Sequence, residues 1–224
     1  MTRTRPRPRI AVLMDENTSS GGSRYEAHKG YFHRLIDAGA APFGVPYEMS
    51  LVNEVVASFD GLLTAGGRFA FPAAWYATQT SGAPQTARPE VEIALVRGFL
   101  GQDKPVLGMC AGMQALACIH GAKLNANVSG HDAGGPHEVT TLARTQLCAL
   151  AGGRLSVNSY HREALATLSG AVIASAVADD GVIEAIEIPG CRFAMGLQWH
   201  QELHGLDHPG QAIFGGFVEA AIPR

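Results

Sequence analysis

Short apolar runs alternate with helix-forming stretches through the first half of the chain, and most of the runs end in glycine or a polar turn. Ile10–Met14, Ala41–Val45, Asp60–Ala65 and the run that reaches Val106-Leu107 have the length and composition of buried strands. Tyr25–Ala38, Val52–Phe59 and Arg88–Leu100 lie between them and have helical spacing; proline stands near the first turn of the last. Strands that alternate with helices build parallel βαβ units, so the expected class is α/β, with a layered sheet. In such sheets ligands gather outside the carboxyl ends of the strands.

The third of those strands ends in Gly66-Gly67, and the last runs into Gly108-Met-Cys-Ala-Gly112. A helical stretch, Met113–Ile119, follows at once. A cysteine between two glycines, at the top of a strand and ahead of a helix, is an elbow: only hydrogen fits beside the nucleophile in so sharp a turn. The first N–H groups of the helix then favour negative charge at the sulfur. Cys110 is thus a candidate nucleophile, although a free cysteine is commonly just a small core residue.

At 224 residues, 46% hydrophobic and 17% charged, the chain suits one globular domain. The basic start, residues 1–9, reads as a solvated tail that leads directly into the first strand, without a signal-peptide pattern. A net charge of −3 gives no support for nucleic-acid binding, and no apolar run reaches the roughly 20 residues of a membrane span. Four cysteines without metal spacing point to a reducing, cytoplasmic setting. Of these, Cys118 reads as core, and Cys148 and Cys191 have no catalytic context.

Residues 68–87 form a long stretch without a period, whose aromatics Phe69, Phe71, Trp75 and Tyr76 pack over either the core or a substrate. Asn125–Pro136 reads as loop. His131, Asp132 and His137 offer no complete ligand set at recognisable spacing, so no metal is expected. Leu155–His161, Ala171–Ala178, Val182–Ile188 and Phe193–Trp199 read as strands, with a hairpin turn at Asp179-Asp180-Gly181, and Pro209–Ala221 as the closing helix. Arg88 and Glu92, four residues apart, read as an ion pair on a helix surface.

A cysteine nucleophile needs a base, and the base an orienting partner. His200 follows a strand end, and Glu202 lies two residues on, on the same side of an extended segment. An oxyanion hole would take the N–H of Ala111 from the elbow and a second donor from Gly66-Gly67, where the missing Cβ lets backbone approach a substrate.

Together, Asp60-Gly-Leu-Leu-Thr-Ala-Gly-Gly67, Pro105-Val-Leu-Gly-Met-Cys-Ala-Gly-Met-Gln114 and Gly196-Leu-Gln-Trp-His-Gln-Glu202 resemble the class I glutamine amidotransferase-like superfamily. Gln201 stands where proline is usual. Arg88-x-x-x-Glu92, His137-Glu-Val139, Val157-Asn-Ser-Tyr-His161 and Asp180-Gly-Val-Ile-Glu-Ala-Ile186 make the likeness nearest to γ-glutamyl-γ-aminobutyrate hydrolases. That resemblance implies a flavodoxin-like fold: a mostly parallel central sheet, helices on both faces and a small antiparallel extension. It implies a Cys110–His200–Glu202 triad, an oxyanion hole at Gly67 and Ala111, and a γ-glutamyl thioester. Gly66, Gln114, Ser159, Tyr160 and His161 would contact substrate; strand-end hydrogen bonding is the other reading of Ser159 and His161.

The activity so implied is hydrolysis of a γ-glutamyl amide, without a cofactor, in polyamine catabolism. Two alternatives stand beside it: a glutaminase subunit that supplies ammonia to a separate synthetase, and a non-catalytic binding protein on the same fold. The expected partner is a small-molecule γ-glutamyl substrate, with a homodimer left open. These hydrolases commonly carry arginine after the nucleophile, where this chain has Ala111, and Arg-Asp where it has Arg88-Pro89.

Overall fold

The computed structural model describes residues 6–16 and 20–223. In chain order the elements are β1 (Arg9–Leu13), β2 (Asp15–Glu16), β3 (Tyr25–Glu26), α1 (Lys29–Asp37), β4 (Ala41–Val45), α2 (Val52–Ser58) and β5 (Gly61–Thr64). There follow α3 (Arg88–Gly101), β6 (Val106–Met109), α4 (Ala111–Ile119), β7 (Lys123–Asn125), β8 (His137–Thr141), α5 (Gln146–Ala151) and β9 (Arg154–Val157). The chain then runs through β10 (Ala164–Thr167), β11 (Ile173–Ala178), β12 (Ile183–Glu187), β13 (Ala194–Leu197) and α6 (Gln211–Ala220).

The fold is α/β around one nine-stranded sheet of order β4-β1-β5-β6-β13-β12-β11-β8-β9. From β4 to β13 every pairing is parallel; from β13 to β9 every pairing is antiparallel. The antiparallel extension is thus four strands, β12, β11, β8 and β9, of which the sequence reading had all but β8. Alternation along the strands feeds two cores, one on each face. Ile10, Val12, Leu63 and Leu107 point to the face covered by α1, α5 and α6; Ala11, Leu13, Leu62 and Val106 point to the face covered by α2, α3 and α4.

Several sequence expectations change. Arg9 belongs to β1 and not to a tail: its N–H donates to Asp60 Oδ2 at 2.7 Å, and its guanidinium lies over the rings of Phe43 and Phe59. Residues 1–5 lie outside the described residues. The first helix starts at Lys29, because the His28 side chain caps it by accepting the N–H of Gly30, while Tyr25-Glu26 pairs with Asp15-Glu16. The strand expected over Leu155–His161 stops at Val157, since Asn158 turns away to bond the backbone of His200. β8, β10 and α5 were not legible; the polar β8 and the six-residue α5 have weak periodicity. Of the two roles open to the long 68–87 segment, its aromatics take the core one, and its later part lines a cleft. Phe69, Phe71 and Tyr76 are buried in the core, and residues 79–83 line a cleft over Cys110.

The elbow is sterically closed. A Cβ on Gly108 would lie 2.5 Å from the carbonyl carbon and oxygen of Gly112, and one on Gly112 would strike the backbone oxygen of Thr64. Neither obstacle can rotate aside. Gly112→Ala is therefore expected to lose on the order of 1–3 kcal/mol or more of stability, read from a lowered urea midpoint.

Candidate active site

β5, β6 and β13 run parallel and side by side, so their carboxyl ends open onto one place. Gly66-Gly67, Cys110 and His200 follow these three ends. The elbow is fixed to β13 directly: the N–H of Cys110 donates to the carbonyl of Leu197 at 2.7 Å. Cys110 has φ 52 and ψ −105, a conformation that a non-glycine residue adopts at a cost of about 1–3 kcal/mol. Its side chain stands between the Gly66 backbone and the amide of Gln198, whose Nε2 lies 3.6 Å from Sγ.

His200 Nδ1 lies 2.7 Å from Glu202 Oε1, which leaves Nε2 for Cys110. Burial alone would depress the imidazole; hydrogen bonds and charge from Cys110 and Glu202 overcome it and hold the pKa at about 11. The backbone of His200 is clamped at both groups by Asn158, which accepts its N–H at 2.9 Å and donates to its carbonyl at 2.9 Å. The ring of Tyr160 stands edge-on to the imidazole with centroids 6.0 Å apart. Gln201, in place of proline, accepts the indole N–H of the fully buried Trp199 at 2.9 Å, so the departure supplies a partner to a buried donor.

The strand-end glycines do different work. Both backbone groups of Gly66 are committed: its N–H donates to the Tyr31 hydroxyl at 3.1 Å, and its carbonyl accepts from Arg88 Nη1 at 3.0 Å. A Cβ there would lie 2.6 Å from His200 Cε1, so glycine is required for the imidazole to sit where it does. Gly67 and Ala111 line the cleft with Cys110. As the first residue of α4, Ala111 has an N–H outside the helical ladder.

Arg88 and Glu92 are not on a surface. Both side chains are fully buried, and Arg88 Nη1 lies 3.0 Å from Asp15 Oδ1 while its Nε lies 3.4 Å from Glu92 Oε2. The guanidinium also donates to the carbonyls of Ala65 and Gly66 and stacks over Phe69, with 4.6 Å to the ring centroid. The i,i+4 spacing was read correctly as a pair, but the helix face was not: α3 packs its first turn against the end of β5. Arg88 is thus the brace that sets the path of Gly66-Gly67. Burial pushes the Glu92 carboxyl above its usual range, and Arg88 opposes the shift.

The expected substrate contacts divide. Tyr160 is exposed at the rim of the cleft, and His161 and Gln114 reach its wall. The amide nitrogen of Gln114 is already used, at 2.8 Å from the Glu163 carbonyl and 3.1 Å from Gln198 Oε1, so Gln114 holds Gln198 against the sulfur. The Ser159 hydroxyl turns inward to the carbonyl of His131 at 2.8 Å. Sequence reasoning passed over Gln198, Asn158 and Tyr31. The first two lay inside quoted motifs; Tyr31 gave only the signal of a core-facing helix residue. Cys118 is buried at 5% exposure, with its thiol raised by burial to about 12, as suits a core residue. All four cysteines are free, and no helix among the described residues is long and apolar enough to cross a membrane.

The cleft has a volume of about 480 Å³. Beyond Cys110 and Ala111 its wall carries Arg68, Asp132, Arg162 and Glu163, so groups of both signs face the space above the sulfur.

Comparison with known proteins gives a consistent picture. The profile of the peptidase C26 family matches residues 8–202. A Mycobacterium tuberculosis protein named "Putative glutamine amidotransferase" is 35% identical over 207 residues, which is 85% of this chain and 66% of that protein, just under two thirds of its length. Gamma-glutamyl-gamma-aminobutyrate hydrolase of Escherichia coli O157:H7 is 26% identical over 238 residues, 95% of this chain and 93% of that one. Among solved structures, a GMP synthase subunit from Thermoplasma acidophilum, so described with the qualifier "putative", superposes with a TM-score of 0.72 at 16% identity, covering 96% of this chain and 94% of the other. That likeness shows the fold.

Two outcomes follow from this geometry. Arg88→Met leaves Glu92 and Asp15 without their cation and is expected to cost about 3–5 kcal/mol in denaturant unfolding. Adding Glu92→Leu should recover part of that stability, yet not the turnover that depends on the Gly66-Gly67 path. Glu202→Gln removes a group that raises the His200 pKa. The acid form of His200 is then lost at lower pH, so the alkaline limb of kcat/KM should move down, with a rate loss on the order of 10²–10⁴-fold. An unmoved limb would show that Glu202 does not set the titration.

Proposed function

The chain belongs to the peptidase C26 family, and within it we propose that this protein hydrolyses γ-glutamyl amides through a thioester on Cys110. The γ-glutamyl-γ-aminobutyrate kind of amide is the first candidate, by likeness to relatives bearing that name. In this reading the Cys110 thiolate attacks the γ-carbonyl, and N–H groups of Gly67 and Ala111 hold the oxyanion. The carbon–nitrogen bond breaks as His200 passes its proton to the departing amine. Water then attacks the thioester, gives its proton to His200, and glutamate leaves with the thiol restored.

The observation that carries the reading is the pairing of this thiol–imidazole–carboxylate set with a cleft wall of mixed charge. A γ-glutamyl head is a zwitterion, with an α-ammonium and an α-carboxylate held at fixed distance from the scissile carbonyl. Arg68 and Arg162 suit the carboxylate, and Asp132 and Glu163 the ammonium. Arg162 and Asp132 already pair at 3.0 Å across the exposed wall, so substrate would exchange partners with them. These arginines offer a cation that Ala111, in place of the usual arginine, does not.

A panel of γ-glutamyl-γ-aminobutyrate, γ-glutamyl polyamines and glutamine, assayed for released glutamate, tests the proposal. The isolated chain is expected to turn over at least one γ-glutamyl amine faster than glutamine, and Cys110→Ala to abolish this while the circular dichroism spectrum is kept. Activity on glutamine alone, appearing when a synthetase is added, would favour an ammonia-supplying subunit. Inertness toward every compound with Cys110 reduced would favour a binding protein.

A further inference from the structure

Three histidines that take no part in the steps above converge on one buried carboxylate. Glu184, the second residue of β12, is fully buried, and its Oε1 lies 3.2 Å from His131 Nδ1, 3.3 Å from His137 Nε2 and 3.3 Å from His161 Nε2. The ligand atoms of His131, His161 and Glu184 lie within 4.8 Å of one another. The four residues come from four separate places: the loop before β8, the start of β8, the turn after β9, and β12. Three of them belong to the motifs at 137–139, 157–161 and 180–186.

These contacts are close but do not have hydrogen-bond geometry. Neither oxygen of Glu184 has a hydrogen-bond partner among the described residues, and the same holds for His137 Nε2 and His161 Nε2. The outward-facing nitrogens show why. His161 Nδ1 lies 3.0 Å from the carbonyl oxygen of Glu163, which can only accept, so Nδ1 carries the proton. His131 Nε2 lies 2.9 Å from Asp180 Oδ2, and in the same way holds its proton there. In the neutral rings His161 Nε2 and His131 Nδ1 are then lone pairs; both face a carboxylate oxygen, and His131 Nδ1 also lies 3.2 Å from the oxygen of the Ser159 hydroxyl, whose proton goes to the His131 carbonyl. A buried carboxylate against bare nitrogens at 3.2–3.3 Å is repulsive unless a positive charge, either a proton on the ring or a metal ion, lies between them.

Three ligand atoms within 4.8 Å of one another, two of the separations being 3.2 and 3.3 Å, can converge on one ion. Tetrahedral zinc with bonds of about 2.0–2.2 Å sets neighbouring ligand atoms about 3.3 Å apart. A metal-bound imidazole characteristically donates its other N–H to a carboxylate or a backbone carbonyl, and His131 and His161 do one each. We propose that His131 Nδ1, His161 Nε2 and Glu184 Oε1 hold one divalent transition-metal ion of the zinc class, with His137 Nε2 beside them at 3.3 Å from the same carboxylate oxygen. The site so formed is tetrahedral once water or a shifted His137 takes the fourth position. It ties the loop at His131 and the turn at 158–161 to the sheet, and so fixes the cleft wall at Tyr160 and His161.

The test uses the whole chain in a Cys110→Ala background, so that the nucleophile cannot compete as a ligand, after chelator treatment and dialysis. Cobalt(II) should bind one equivalent with the visible d–d bands of a tetrahedral site, without the thiolate-to-metal band that a cysteine ligand would give. Zinc should displace it. Glu184→Gln and His161→Ala should abolish the bands, and Asp180→Asn, an exposed change that leaves the ligands in place, should weaken binding about 10–100-fold. Failure of the folded Cys110→Ala chain to bind cobalt or zinc stoichiometrically would overturn the proposal in favour of a network of protonated imidazoles. Binding undiminished in Glu184→Gln or Asp180→Asn would overturn the assignment of these ligands.

Discussion

The parallel pairing of β13 with β6 is the constraint on which the rest of this structure depends. It aligns Leu197 with Met109, so the residues that follow the two strands, His200 and Cys110, leave the sheet at the same edge. The Cys110 N–H to Leu197 carbonyl bond carries the ladder one residue past β6, into the elbow itself. A strained backbone at Cys110 persists because this bond, the glycines on either side and the packing of α4 leave it no alternative. β5 on the other side of β6 brings the Gly66-Gly67 turn to the same edge. Three segments distant in sequence become neighbours because each continues a parallel strand.

The sheet and its flanking helices bury charge at several places. Arg88 and Glu92 under the glycine turn, Glu184 among the histidines, and Glu187, which accepts the N–H groups of Gln146 and Leu147 at the start of α5, are each nearly or wholly removed from water. Apolar side chains would be cheaper in such places. Arg88 and Glu187 instead fix a turn and a helix end through directional bonds that an apolar residue cannot make. Arg88 holds two successive carbonyls, and Glu187 holds two successive N–H groups.

The parallel half of the fold was legible because its strands are short apolar runs that end in glycine, and its helices are longer than the noise in their periodicity. The elbow and the His-x-Glu pair were legible for the same local reason: their chemistry lies within a few residues. Much of what surrounds them depends on contacts made at long range. No local pattern tells that Arg88 faces inward, because i,i+4 pairing is common to buried and exposed helix faces. The strand reading of Leu155–His161 failed where the Asn158 side chain captured the backbone of a residue 42 positions away. β8 and β12 carry His137 and Glu184 without any spacing signal that links them; only the antiparallel order β12-β11-β8 gathers them.

The central claim is that Cys110 forms a covalent γ-glutamyl intermediate within this frame. Rapid acid quench of the chain with a γ-glutamyl amide, followed by intact-mass measurement and peptide mapping, tests it most directly. A glutamyl mass increment located on Cys110, lost on further incubation and absent from Cys110→Ala, is the expected result. Turnover without any such adduct, or turnover retained by Cys110→Ala, would contradict the account.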